Sequence, residues 1–459
     1  TAWDARRVGG NITPDTIENA LPGLFPAIGD RGVRWIAGAA DYAMANWFAD
    51  GERFDLPDDF YSSRFLIDKT IEFIDSNAES DAPFFAYVPF QAVHIPVQAP
   101  QEFINRYVDV YADGWEALRE RRYRAAKTLG LVPQNSAMVP MTTTTDWQSL
   151  DPDTKRYQAK RMAVYAAMVE AMDFHIGRLI QHLKDTGRYD NTVFIFVSDN
   201  GSEPSGTVVD STLGNDLLQR LANYNDDYDT LGLPGSFNTI GPNFASAAAS
   251  PLGFYKFYVG EGGLRVPLII AGKPLAVPEP NRIIHAFGYA TDIVPTLLEL
   301  TGTPNPAGRY KGRTVEPIIG RSVLPLIYDR TERIYGEDDA IGYELNGHRA
   351  LFLGDHKIVY NRPPIGDGLW HLYNIATDPG ETEDLQHQQP QRFQSMQRLY
   401  AQFAVDHGVL PVAEDFDPQR VMLRRLVRER FGGYVFAAAI AVILLMTFGF
   451  YRKRLLRPR

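Results

Sequence analysis

The stretch that most constrains the fold runs from Met162 to Gly201. Tyr165, Met168, Met172, Ile176, Leu179 and Leu183 recur every three or four residues, lining one face of an amphipathic helix over Met162–Thr186. That helix leads directly into VFIFV (193–197), an apolar run that ends at Ser198-Asp199-Asn200-Gly201. A short unbroken apolar run suits a strand buried on both faces. The same order occurs earlier. Tyr61–Asn77 reads as a helix with Phe65, Ile67, Ile71 and Ile74 roughly on one side, and PFFAYVPF (83–90) reads as an aromatic-rich buried strand. Helix then buried strand, twice, predicts an α/β fold with a largely parallel central sheet flanked by helices. RVPLIIAG (265–272) predicts a further strand, and TDIVPTLLELTG (291–302) a helix ending at Gly302.

After about residue 320 the texture changes. ALFLGDHKIVYN (350–361) and LWHLYNI (369–375) predict paired strands of a smaller α+β subdomain, dividing the chain into 1–320 and 321–415. The 459 residues are 45% hydrophobic and 22% charged, enough for a large core. Cysteine is absent, which excludes a disulfide, a thiolate metal site and a Cys nucleophile. The net charge of −10 is unevenly spread: from Arg420 onward ten Arg and Lys face a single acid, Glu429, so the body is more acidic still. An acidic body argues against general nucleic-acid binding. Between the two basic clusters lies Phe431–Tyr451, 21 residues without a charge. As a helix this would be about 31 Å long, matching a hydrocarbon core of about 30 Å. The expectation is a transmembrane helix over 431–451, with a basic linker at 416–430 and a basic tail at 452–459.

Three segments carry candidate chemistry. In open parallel sheets ligands gather beyond the carboxyl ends of strands, where VFIFV delivers Asp199 and Asn200. Both are hard oxygen ligands suited to Ca²⁺ or Mg²⁺; an Asx turn closing the strand is the plainer alternative. His94, in QAVHIPVQAP (91–100), precedes Pro96 in an extended loop, as a candidate acid or anion ligand or as a merely structural histidine. Lys256, in YKFYVGEGGLRVP (255–267), could hold an anionic oxygen or simply be a solvated surface lysine.

Together the segments FYSS (60–63), DKTIEFI (68–74), PFFAYVPFQAVHIPVQAP (83–100), YAAMVEAMDFHIGRLI (165–180), DNTVFIFVSDNG (190–201), GEGGLRVP (260–267), ATDIVPTLLELTG (290–302) and LYNIATDPGETEDL (372–385) point further. In that order they resemble the sulfatase family of the alkaline phosphatase superfamily, bacterial arylsulfatases in particular. The resemblance covers roughly Phe60 to Gly408. It implies an alkaline-phosphatase-like fold and hydrolysis of sulfate monoesters. It also implies a divalent metal, usually Ca²⁺, on Asp199 and Asn200, a contact of His94 with the sulfate or leaving group, and a contact of Lys256 with a sulfate oxygen. Fixed cations around a sulfuryl group would stabilise the charge that builds on the departing oxygen, and His94 or Lys256 could supply its proton.

One departure stands out. The family nucleophile is a formylglycine made within Cys/Ser-x-Pro-x-Arg, yet this chain has no Cys. Its Ser202-Glu203-Pro204 continues as Ser-Gly. The early acidic metal ligands and the Gly-Lys-Trp-His segment also lack counterparts; ARRVGG (5–10) stands before the matched region. The expectation is that the family's opening segment is missing and that the chain by itself is inactive. Hydrolysis of phosphodiesters or phosphonate monoesters, as in relatives of the family, is an alternative, and so is a non-catalytic, membrane-tethered binding protein. The expected partners are a sulfated small molecule and, through the C-terminal helix, a membrane, with the catalytic body in the periplasm or outside the cell.

Overall fold

In a computed structural model, the structure describes residues 47–416 apart from 51, 54, 55, 58, 81, 141–143, 206–223, 278, 364, 365, 414 and 415. Its backbone is α4, Pro152–Asp185, a 34-residue helix. It begins at Pro152, not at Met162, because Asp151 caps it: the carboxylate accepts the N–H groups of Asp153 (3.0 Å) and Thr154 (2.9 Å). Pro152 sits where a missing N–H costs nothing. The helix stops at Gly187, whose φ of +69° suits a residue without a side chain.

Two clusters form on α4. Val164, Ala167, Met168 and Ala171 meet Tyr61, Val97, Ala99, Phe103 and Ile104, bringing in α1 (Ser62–Ser76) and α2 (Gln101–Ile104). Alanines at this face let the neighbouring elements approach closely. Ala159, Met162 and Ala163 meet a second set around Trp115, Trp147 and Phe244, which joins α3 (Gly114–Thr128) and α5 (Gly241–Ala249). Trp115 and Trp147 stand edge to face, 4.6 Å between centroids. Gly114 is needed there: its φ is +89°, and a Cβ would lie 2.3 Å from the Trp147 ring.

The sheets correct the expectation of a largely parallel centre. After a short ladder of β1 (Phe48–Ala49) with β2 (Glu52–Arg53), β3 (Phe194–Val197) and β4 (Leu268–Ala271) form where strands were expected, but they pair antiparallel, Phe194 opposite Ala271 and Val197 opposite Leu268. The cause lies in the turn before β4. α6 (Glu261–Leu264) sits against Gly201, just beyond the end of β3, with the Gly201 N–H donating to the Gly263 carbonyl at 3.0 Å. A chain that reaches β3 at its carboxyl end, with three residues between turn and strand, has to run back along it. PFFAYVPF, expected as a buried strand, forms none: Phe85 is 78% and Tyr87 80% exposed. Among the described residues no strand lies beside it to take up its backbone groups.

α7 (Ile293–Leu300) forms within the helix expected at 291–302, preceded by a 3₁₀ turn at Ala290–Asp292 and followed by a short ladder of β5 (Arg309–Tyr310) with β6 (Arg313–Thr314). The C-terminal part is a four-stranded antiparallel sheet in the order β10-β9-β8-β7: β7 (Ile341–Leu345), β8 (His348–Leu353), β9 (His356–Tyr360) and β10 (Trp370–Asn374). After the short α8 (Leu324–Ile327), α9 (Pro390–Asp406) covers one face, placing Met396 and Tyr400 on Leu351, Ile358 and Leu372.

The expectation of a transmembrane helix is not met within the described fold. Among the described residues no helix is long and apolar enough to cross a membrane; the longest, α4, carries charges along its length. The spanning segment expected at 431–451, the tail at 452–459 and all of the basic linker beyond Phe416 lie outside the described residues.

Candidate functional site

The polar site is built at the carboxyl end of β3. Asp199 and Asn200 leave the strand with side chains that have no hydrogen-bond or ion-pair partner among the described residues, although the backbone around them is held. The Ser198 hydroxyl donates to the Asn200 carbonyl (2.9 Å) and the Ser202 hydroxyl to the Ala245 carbonyl (2.9 Å). Gly201 lies so close to the next turn that a Cβ would stand 1.9 Å from the Gly262 carbonyl oxygen. The pair is thus presented by a fixed backbone with its oxygens free, a donor set of the kind a hard divalent cation takes. Two side chains are fewer than the six to eight oxygens of Ca²⁺, and no group of three or more His, Cys, Asp or Glu arranged to hold a metal ion is found among the described residues. The residues present fit part of a metal site.

Glu203, three residues beyond Asn200, organises the rest. Its Oε2 lies 2.7 Å from the Lys256 ammonium and 3.7 Å from His94 Nε2. The carboxylate is 8% exposed. Its Oε1 accepts the Ser205 N–H at 3.0 Å and the Ser205 hydroxyl. Burial pushes its pKa up, but Lys256 and Ser205 outweigh this, and the net position is below the usual carboxylate range. Glu203 is therefore an anion that holds two candidate cations, and sequence reading passed over it. The residue lay in view, inside SDNGSEPSG, but its pairing with a lysine 53 positions away has no local signature.

His94 is carried by a loop pinned at three points: Val97 N–H to the Asn238 carbonyl (2.8 Å), Ala99 N–H to the Gly232 carbonyl (3.0 Å) and the Gln98 amide to the Ser236 carbonyl (2.9 Å). Its Nδ1 is 3.0 Å from the Ile95 carbonyl. A carbonyl only accepts, so Nδ1 carries the proton and Nε2 faces the site. Lys256 is held by its own backbone, its N–H donating to the Ser202 carbonyl at 3.1 Å. The flanking Phe254 and Phe257 take φ of +63° and +81°. Such conformations cost roughly 1–3 kcal/mol each and persist where surrounding contacts enforce them, a pattern concentrated at functional sites.

The structure thus joins Lys256 and His94 through Glu203 and connects them to Asp199 and Asn200 along one short backbone segment. No residue of the chain suits formylglycine formation in its motif: Cys is absent, and Ser202 donates its hydroxyl to a main-chain carbonyl in a segment that lacks the x-Arg continuation.

Comparison with known proteins supports the same family. The family model described as Sulfatase matches residues 23–303. An uncharacterized sulfatase of Schizosaccharomyces pombe is 36% identical over 366 residues, 79% of this chain and 65% of that protein. The arylsulfatase of Klebsiella aerogenes is 33% identical over 276 residues, 60% of this chain and 58% of that protein. The chain therefore spans less than two thirds of the length of these relatives. Among solved structures, Ps i-CgsB in complex with k-i-k-neocarrahexaose superposes with a TM-score of 0.49 at 19% identity, over 84% of this chain and 63% of that one. A likeness of that size carries no inference about reaction or substrate. With its model matched over more than half of the residues, the chain belongs to the sulfatase family.

Proposed function

We propose that this chain forms the anion-binding and part of the metal-binding side of a site that hydrolyses sulfate monoesters, aryl sulfates among them. One observation supports this above the rest. The family's sulfatase motifs converge on a buried Glu203 that holds Lys256 at 2.7 Å and faces His94 at 3.7 Å, beside the free oxygens of Asp199 and Asn200.

Each residue has a role that follows from its surroundings. Lys256 spends one of its three donors on Glu203 and keeps others for a sulfuryl oxygen. Glu203 fixes where that ammonium stands, and as a carboxylate it also disfavours retention of a product anion. With Nδ1 held by the Ile95 carbonyl, His94 can exchange a proton only at Nε2, the atom on the site side. In the imidazolium form it can protonate the departing oxygen. Asp199 and Asn200 would hold the divalent ion, which when bound neutralises charge on the sulfuryl oxygens. No step is derived through formylglycine, because no residue here fits it.

The test uses the protein expressed from its complete gene, offered 4-nitrophenyl sulfate, bis(4-nitrophenyl) phosphate and a phenyl phosphonate monoester. Turnover of the sulfate that chelation abolishes and added Ca²⁺ restores is the expected result. Phosphodiester or phosphonate turnover without sulfate turnover would move the protein to the other reaction class. No turnover of any of them would leave a binding role.

A further inference from the structure

Lys357 is a wholly buried charge that the site described above does not use. It is the second residue of β9, 0% exposed, with its ammonium 2.8 Å from Glu261 Oε1 and 2.8 Å from Glu381 Oε1. Both carboxylates are also buried. Glu381 closes the arrangement, because its Oε2 accepts the N–H of Glu261 at 2.9 Å. Burial pulls the Lys357 pKa down, but the two carboxylates outweigh it and the net direction is up; burial drives Glu381 up against the pull of Lys357.

A buried ion cluster is a poor source of stability, since desolvating charges costs about as much as their attraction returns. Its value here lies in what it attaches. Glu261 opens the turn that follows the Lys256 loop, and the segment 253–263 is folded tightly on itself: the Gly262 N–H donates to the Gly253 carbonyl at 2.7 Å and the Gly263 N–H to the Gly260 carbonyl at 2.9 Å. That segment bonds the catalytic stretch twice, through Gly201 N–H to Gly263 and Lys256 N–H to Ser202. On its other side it rests on the C-terminal sheet. Val259 packs on Ala350 and Val359, and its N–H donates to Asn361 Oδ1 at 3.3 Å. The Tyr258 ring meets His348 at 5.0 Å.

We propose that Lys357 is a positioning residue for the anion site: through Glu261 and Glu381 it fixes the 253–263 segment against the C-terminal sheet and so places the Lys256 ammonium. The sheet then contributes to sulfate binding without touching the ligand. This rests on the reading of Lys256 as an anion ligand.

The test measures the affinity for inorganic sulfate by calorimetry, with KM and kcat for 4-nitrophenyl sulfate beside it, at temperatures well below each variant's Tm. Lys357→Met leaves two buried carboxylates without a cation and is open to misfolding. Glu381→Gln keeps the Lys357–Glu261 pair and removes a buried negative charge, but Lys357 and the Glu261 N–H use different carboxylate oxygens, and one of these positions becomes an NH2 donor. Its Tm should fall, with the variant still folded at the assay temperature, while sulfate binding weakens on the order of tenfold, with KM rising more than kcat falls. In a Lys256→Gln background the same substitution should have little further effect, because the displaced ammonium is already gone. Sulfate affinity unchanged by Glu381→Gln, or a loss that simply adds to that of Lys256→Gln, would overturn the inference while leaving Lys256 as the ligand. A wild-type protein that binds no sulfate would instead overturn the reading of the site, and this inference with it.

Discussion

The β8–β9–β10 strands and the β3–β4 pair are made of the same kinds of residue and stand in opposite environments. Leu351, Ile358 and Leu372 are 0% exposed, closed over by α9. In the other pair, Ile269 is 56% and Leu268 43% exposed, and Phe196 and Val197 are open as well. The C-terminal sheet finds its cover nearby in sequence, from hairpin partners and a helix that follows within the same stretch of chain. β3 and β4 are joined across some 70 residues, and among the described residues they have only one another as strand partners. The candidate site therefore sits on the less enclosed of the two sheets, and the better-enclosed one is tied to it through Lys357. Stability and binding are concentrated in different places.

Substitutions can break that separation. Asp199→Ala should reduce sulfate ester turnover on the order of a hundredfold or more, with little change in Tm, because its carboxylate has no partner to lose among the described residues. A large drop in Tm would show that Asp199 is a structural cap and not a ligand. Leu372→Ala should cost about 2–5 kcal/mol in a denaturant titration, while KM measured well below the transition stays near wild type. Ile269→Ala should cost within about 0.5 kcal/mol. If Ile269→Ala proves as costly as Leu372→Ala, a further element covers β4 in the folded protein, and the contrast between the sheets disappears.

The smallest effect concerns pH. His371, on β10, lies between Asp384 (2.7 Å) and Asp367 (2.9 Å). Burial pulls its pKa down, but the two aspartates outweigh this and the net direction is up. Its contribution to stability is therefore complete below the unfolded value of about 6.5 and is lost as pH rises through the higher folded value. Burial pushes both aspartates up, but backbone N–H groups and His371 bring them below their ordinary range. Their contribution is present above the unfolded value of about 3.9 and is lost as pH falls through the folded values. Tm against pH should thus be highest between about 4 and 6.5 for this cluster, and His371→Gln should flatten the decline on the alkaline side. An unchanged profile would mean that the cluster is screened by solvent.

Much of this was legible beforehand where the signal is local. α1, most of α4, β3, β4, α7 and the strands around 350–375 follow from periodicity and turn residues. The early start of α4 was also written in the sequence, since Asp151-Pro152 is a cap followed by a favoured first residue, but the less regular apolar spacing before Met162 concealed it. PFFAYVPF was misread because an apolar aromatic run is necessary for a buried strand and not sufficient: its backbone also needs a neighbour. The parallel sheet was misread for a related reason. Helix-then-strand order suggests parallel pairing, whereas the docking of the 260–264 turn on Gly201 reversed the direction of β4.

By itself the sequence determined the family, through motifs whose order along the chain is enough to identify it, and the residue types at the strand ends, because an acid and an amide after VFIFV need no distant partner to be recognised. It also settled that no cysteine chemistry is available. Tertiary structure alone decided which charges meet. Glu203 joins His94 and Lys256, and Lys357 joins Glu261 and Glu381, across separations of 53 to 109 residues and 24 to 96 residues. Such pairs leave no periodic trace, because an ion pair is set by where two backbones pass each other and by the solvent they exclude, not by spacing along one of them.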